Sequence, residues 1–353
     1  MKLMVLMTLL AAVCLAVFPA AALHRGKVEI LSVQNILDFS EKEEADISRE
    51  PLNLPEIPVP FLPETEKMQE QCWKPFRILD RATGKIEEVP VKEYVTGALC
   101  SEMPAVFQME ALKAQAVSAH TWALYCQQEA VQKGREYDFS ADPSHWQGYV
   151  TEEQAKKRFG DKFEEYWERI CRAADAVWTK ILLTPDGSPV AAAYHAISCG
   201  KTEDAENVWG YAVPCLTSVE SKGDIHAPGY QKNMEYALGE LRERLESEIP
   251  GIYLSDEPEQ WIKILEQSPS GYVTLAQAGD QQISGGNLRQ ILGLRSSYFD
   301  YAVQQGKAVF TVRGYGHGVG LSQYGADYLA RQGQTYDAIL THYYQGAVVS
   351  DRK

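Results

Sequence analysis

The sequence predicts an α+β fold in which mixed helices and antiparallel strands surround a substrate cleft, with an inserted lobe, behind an N-terminal membrane segment. Three observations lead there. Apolar residues recur at helical spacing from Val91 to Cys126, short strand-like runs such as Ile181 to Leu183 and Ala308 to Val312 stand apart from them, and turn residues separate the runs. With 45% hydrophobic content in 353 residues, the chain can bury a large core in one domain or one with an insertion. The formal charge of −14 argues against nucleic acid or an anionic membrane as the main partner, because phosphate binding needs a basic surface. A neutral or modestly charged polymer stays open.

Taken in order, Leu3 to Leu23 carry no charge and are almost wholly apolar, a length of about 20 residues that could cross a bilayer. A cleaved signal peptide is the alternative, with Ala20-Ala21-Ala22 as the small-residue site. Residues 1–23 are thus an anchor or signal, and 24–74 an acidic tether with five prolines between Pro51 and Pro63. A globular domain follows over residues 75–350, with an inserted lobe over about 230–305. Its first helix brings Val91, Tyr94, Val95, Ala98 and Leu99 to one face, and Glu102 falls on that same face. Pro104 disfavours helical geometry at Met103, so Glu102 lies in the last turn, at the negative end of the helix dipole. Burial and dipole both penalise a carboxylate, so its pKa should rise and suit it to general acid work. A structural ion pair is the plainer alternative.

The long helix after Pro104 carries Leu112, Ala116, Ala119, Ala123 and Cys126 as a stripe of small and apolar residues that admits close packing, and His120 borders it. Segments 153–180 and 336–344 read as amphipathic helices. Ile181 to Leu183, the Thr184-Pro185-Asp186-Gly187 turn and Val190 to His195 read as a hairpin. The helical region from 91 to 132 should pack against strands near 181–195 and 308–313. Between 233 and 300, helix-like runs (Leu238 to Leu245, Leu288 to Leu292) alternate with a strand-like one (Tyr272 to Leu275), which suggests the lobe. The glycine-rich stretch Gly314 to Gly320 follows the strand Ala308 to Val312 and precedes a helix capped near Ser322. Such glycines allow either approach to a ligand or tight packing on a sheet.

Seven cysteines are present, with Cys14 in the apolar segment, and Cys199 with Cys215 is the favoured bridge among the rest. Ser198-Cys199-Gly200-Lys201-Thr202 looks like part of a phosphate loop, but His195 stands where the earlier glycine is required. His145 is not by itself a metal site, and a His195, Cys199 and Cys215 set ranks below thiols or a disulfide. No metal and no cofactor are expected. Asp142, Glu203 and Asp204 are the acids near these motifs, each expected to be solvated.

Three segments in this order carry a resemblance: EYVTGALCSEMPAVFQMEALKAQAVSAHTWAL from Glu93 to Leu124, AAYHAISCGKTEDAENVW from Ala192 to Trp209, and GYGHGVGLSQYGA from Gly314 to Ala326. Together they resemble the stage II sporulation protein D family over roughly residues 75 to 350. The resemblance implies a lytic transglycosylase that cleaves the β-1,4 bond between N-acetylmuramic acid and N-acetylglucosamine in peptide-free peptidoglycan, leaving 1,6-anhydro ends, during sporulation engulfment. It implies Glu102 as the single acid and base, and His120, His195, Ser198, Lys201, His317, Gln323 and Tyr324 as substrate-binding residues. It further implies an anchor in the mother-cell membrane, a catalytic domain facing the intermembrane space, and amidase and membrane partners. Position 120 is commonly arginine in the family, so His120 is a departure. Rival readings are a hydrolytic glycosidase and a non-catalytic wall-binding module or amidase enhancer.

Overall fold

A computed structural model describes residues 73–142 and 148–352. The segment Leu3 to Leu23, nearly all of the tether, and His145 lie outside them. Among the described residues, no helix is long and apolar enough to cross a membrane.

Two apolar clusters organise these residues. The larger runs from Phe76 to Val219 and resumes from Val319 to Ala347; the second runs from Tyr236 to Val312. In the first part, β1 (Phe76–Asp80) pairs antiparallel with β2 (Ile86–Val89). Next comes α1 (Val91–Glu102), ended at the extended Met103 that precedes Pro104. The long α2 (Met109–Gln132) buries Leu112, Ala116, Ala119 and Ala123, and β3 (Phe139–Ala141) adds to β1 in parallel. The expected helical stretch after residue 153 is two helices, α3 (Glu152–Phe159) and α4 (Phe163–Val177), and α4 packs on both α1 and α2.

Strand β4 (Lys180–Leu183) lies against α2, where Leu182 N donates to Thr121 Oγ1 at 2.9 Å. The short strand β5 (Tyr194–His195) and the short helix α5 (Ala205–Trp209) follow. The lobe then comprises β6 (Gln231–Ala237), α6 (Leu238–Glu248), β7 (Ile262–Gln267), β8 (Val273–Ala278), β9 (Gln281–Ser284), α7 (Gly285–Leu292), β10 (Phe299–Gln304) and β11 (Lys307–Arg313). Its sheets are an antiparallel β10-β11-β6 and a β7-β8-β9 meander. The chain returns to the first cluster through β12 (Leu321–Ser322), α8 (Gln323–Arg331), α9 (Tyr336–Tyr343) and β13 (Val348–Asp351).

Three expectations change. The Pro-Asp-Gly turn closes as read, with Gly187 N donating to Thr184 O at 2.9 Å. Its return leg pairs with β4 only briefly, Leu183 bridging Pro189 and Val190 N donating to Leu182 O at 3.0 Å, before Ala192 and Ala193 enter the main core. The regular neighbour of β4 is instead β13, from the far end of the chain. Strand β11 does not pack on the first helices; Ala308, Phe310 and Val312 belong to the lobe core. A two-residue turn with positive φ at Gln305 and Gly306 (50° and 75°) pins β11 to β10, so the lobe runs past residue 305 to the end of β11. Finally, Cys199 and Cys215 are both free thiols. The Cys199 thiol donates to Arg313 O at 3.4 Å, and Cys215 packs in the main core.

Candidate active site

Glu102 is the last residue of α1 and is 1% exposed. Its Oε1 accepts from Gly148 N at 3.1 Å. Burial holds its carboxyl well above the ordinary carboxylate range, although the Gly148 N–H and the Ser101 hydroxyl both pull it down. The Glu102 carbonyl, left unpaired within the helix by the end of α1, accepts from Gln323 Nε2 at 2.7 Å. Gln323 opens α8 and also reaches Gln115 Oε1 on α2 at 3.4 Å. Ser322 caps α8, its Oγ accepting from Gly325 N at 3.3 Å.

Because β12 runs parallel to β5, with Ser322 beside His195, the residue that grips Glu102 follows directly on the strand paired with the one that carries the histidine. The glycine-rich loop enters this seam. Tyr315 and Ile197 exchange N–H to carbonyl bonds at 2.7 and 3.1 Å, and Glu203 N donates to Gly318 O at 2.7 Å. Close approach requires the glycine at 320, where a Cβ would stand 2.0 Å from Ala193 O. The loop brings the His317 ring to 5.7 Å from that of His195 and 5.8 Å from that of Trp209. His195 Nδ1 bonds Val319 O at 3.1 Å, and His317 Nδ1 accepts from Val319 N at 3.0 Å. Burial lowers the His195 pKa to about 4 and that of His317 well below its usual value.

The other expected site residues divide. Ser198 is buried, with its N–H on Asp224 Oδ2 at 2.9 Å and its Oγ accepting from Gly200 N, so it serves a structural network. Asp224 also accepts from Ser322 Oγ at 2.8 Å. Lys201 is half-buried, its backbone bridged to Glu220. Tyr324 is half-buried, its ring edge-on to Phe107 at 5.0 Å. His120 departs from expectation. It is fully buried, bonds Lys180 O through Nδ1 at 3.2 Å and accepts from Arg352 Nη1 at Nε2 at 3.1 Å. Both ring nitrogens are used, which leaves none for a ligand. Burial first, then the Arg352 charge, lowers its pKa to about 3, so the ring is neutral.

Glu203 is another correction. It is 1% exposed rather than solvated, its Oε1 accepting from Asp204 N and Asn207 Nδ2 and its Oε2 from Ser268 Oγ of the lobe. Asp204 and Asp142 are half-buried. Sequence reading missed Gln115, Gly148, Trp209, Asp224 and Val319. Of these, Gln115 gave a signal, a polar side chain three residues after Leu112 and beside Ala116 on a face that packs. A depression on the lobe, walled by Arg244, Glu248, Asn287 and Gln290 among others, shares no residue with this site.

Fold and site together define an α+β protein that presents one dehydrated carboxyl at a helix end, tied to a glycine-rich loop bearing a histidine pair. A family profile described as "SpoIID: Stage II sporulation protein" matches residues 80–183. The chain is similar to stage II sporulation protein D of Bacillus amyloliquefaciens, 32% identical over 317 residues and 90% of each chain. It is similar to stage II sporulation protein D of Bacillus subtilis (strain 168), 35% identical over 274 residues, 76% of this chain and 77% of that one. The chain belongs to the stage II sporulation protein D family, a family of sporulation. A more distant likeness, 24% identical over 305 residues, covers 72% of this chain and 40% of the amidase enhancer of Bacillus subtilis (strain 168).

Proposed function

We propose that the chain is a lytic transglycosylase that cleaves the N-acetylmuramic acid to N-acetylglucosamine β-1,4 bond of peptide-free glycan strands during sporulation engulfment. The observation that carries this reading is Glu102, a buried carboxyl whose pKa is raised by dehydration at a helix end. A protonated carboxyl can deliver its proton to the glycosidic oxygen as an oxocarbenium-like centre develops. As carboxylate it then takes the proton of the C6 hydroxyl while that oxygen closes on C1, giving the 1,6-anhydro end. The attacking oxygen belongs to the same sugar, so orientation replaces a second carboxylate, a gain of about 7–11 kcal/mol when the geometry is well aligned. Because Glu102 is only 1% exposed, substrate must displace its cover to reach it. The apolar segment Leu3 to Leu23 supports an enzyme anchored in the mother-cell membrane and facing the intermembrane space. Peptide-free strands imply an amidase that acts first, in the same membrane assembly.

Mass spectrometry of strands digested by wild type and by Glu102→Gln tests reaction and acid together. Wild type should release anhydro ends, and Glu102→Gln should lose roughly a hundredfold or more of that rate. Products that carry an added water would make the protein a hydrolase. The likeness to the amidase enhancer favours a second reading, a non-catalytic wall-binding module. Strand binding without turnover by the wild type would establish it.

A further inference from the structure

Glu203 is a buried acid that the proposed reaction does not use, and its bonds run in three directions. Its N–H donates to Gly318 O at 2.7 Å, which fixes the glycine-rich loop at the residue after His317. Oε1 accepts from Asp204 N at 2.8 Å and from Asn207 Nδ2 of α5 at 2.9 Å. Oε2 accepts from Ser268 Oγ, in the turn between β7 and β8 of the lobe. Burying a carboxyl group is costly unless its oxygens are answered, and here donors from three places answer them.

The turn that carries Ser268 is set into the main part of the protein. Ser270 Oγ donates to Thr202 O at 2.8 Å and lies 2.8 Å from Ser218 Oγ, and both turn serines are buried. Tyr272, at the end of the turn, packs directly on the loop, since a Cβ at Gly318 would stand 2.5 Å from its hydroxyl oxygen. A backbone bond crosses the same boundary, from Gly316 N to Arg295 O at 2.9 Å. Gly318 is thus held by the Glu203 N–H and by the Tyr272 ring, and Glu203 bonds the loop through its backbone and the lobe through its side chain.

We propose that Glu203 is a positioning residue that locks the inserted lobe onto the glycine-rich loop, so that lobe and loop meet a glycan strand as one rigid surface. The inference rests on the glycan reading above. Loss of the carboxyl group releases Ser268 but leaves Glu102 its own partners, Gly148 N and Gln323 Nε2. Strand affinity then falls while the chemical step persists. A second catalytic carboxylate would behave otherwise, because a carboxamide in its place is neither base nor nucleophile. A carboxamide can hold the lock. Its oxygen accepts from Asp204 N and Asn207 Nδ2, and its NH2 donates to Ser268 Oγ, since a hydroxyl accepts as well as donates.

The test compares full-length wild type, Glu203→Ala and Glu203→Gln on peptide-free glycan strands, with amide hydrogen exchange of the same chains. Glu203→Ala should raise KM about tenfold while kcat stays within about twofold. Exchange at the Gly316 amide, whose bond crosses to the lobe, should quicken about tenfold, with the α2 amides unchanged. Glu203→Gln should restore both. If Glu203→Ala fails to fold, Ser268→Ala removes the lobe side of the lock alone and should show the same pattern more weakly. A glutamine variant as impaired as the alanine one, a loss confined to kcat, or exchange that rises evenly along the chain overturns the inference. Failure of the transglycosylase reading looks different. The wild type then yields no anhydro ends, and the strand Kd of each variant, read beside Gly316 exchange, decides the inference: a Kd that Glu203→Ala leaves unchanged, or no strand binding at all, overturns it.

Discussion

Two hydrogen-bond donors, the Gly148 N–H and the Ser101 hydroxyl, favour the charged form of Glu102, yet burial outweighs them and its pKa stands raised. A group that must start protonated is then active on the acid side. The rate of anhydro-end release should be full at low pH and fall as pH rises through that elevated value; a rate that climbs with pH would identify a carboxylate base instead. His120 calls for a different experiment. Its neutral ring joins α2 to the guanidinium of Arg352, which itself lies 4.6 Å from the Trp73 ring centroid. His120→Arg would set two guanidinium groups together in a buried place and should cost about 3 kcal/mol in urea unfolding. Arg352→Ala should cost about 1 kcal/mol. Neither should change the KM for glycan strands beyond what unfolding explains, because His120 has no nitrogen to offer a sugar.

Helix α1 depends on a missing side chain. At Gly97 a Cβ would stand 2.2 Å from Val150 O and 2.5 Å from the Tyr149 ring, so the strand of chain that carries the Gly148 N–H lies directly on the helix. Gly97→Ala should therefore cost about 2 kcal/mol by overpacking. It should also push Gly148 from Glu102, remove a donor that lowers the pKa, and shift the falling limb of the pH profile to higher pH. An unshifted limb in a folded variant would show that Gly148 does not tune the acid. The helices were legible because their information is local: apolar spacing marks α1 and α2, Pro104 ends α1, and Ser322 caps α8. Pairings across the chain were not. Nothing in Val348–Asp351, four residues without alternation, announces β4 as its partner. Glu203 read as a loop acid because Ser268, the donor that the lobe supplies to its second oxygen, reaches it only in the fold. For the same reason Asp224 and Val319 escaped notice, while the acid at 102 was visible in its own helix.

Across the whole molecule, Asp224 joins parts distant in sequence. Its carboxylate accepts from Ser198 N, after β5, and from Ser322 Oγ, at the start of α8, so it fastens the two elements that position His195 and Gln323. Burial raises its pKa from 3.8 to about 6, against the donors that pull it down. A folded-state pKa above the unfolded one means that the fold favours the protonated group. Its stabilising effect is then complete below the unfolded value and is lost as pH climbs through about 6. At 1.36 kcal/mol per unit, a rise of roughly two units makes this about 3 kcal/mol. Asp224→Asn cannot titrate, and its amide can keep the bond from Ser198 N while Ser322 Oγ turns to the Ala196 carbonyl, 3.2 Å away. Urea unfolding of both proteins at a series of pH values should therefore give curves that converge as pH rises from about 4 to about 7, the wild type losing its advantage in that window. A constant gap would mean that Asp224 stays ionised in the fold, and that the seam between the histidine strand and α8 is held by charge rather than by a buried acid.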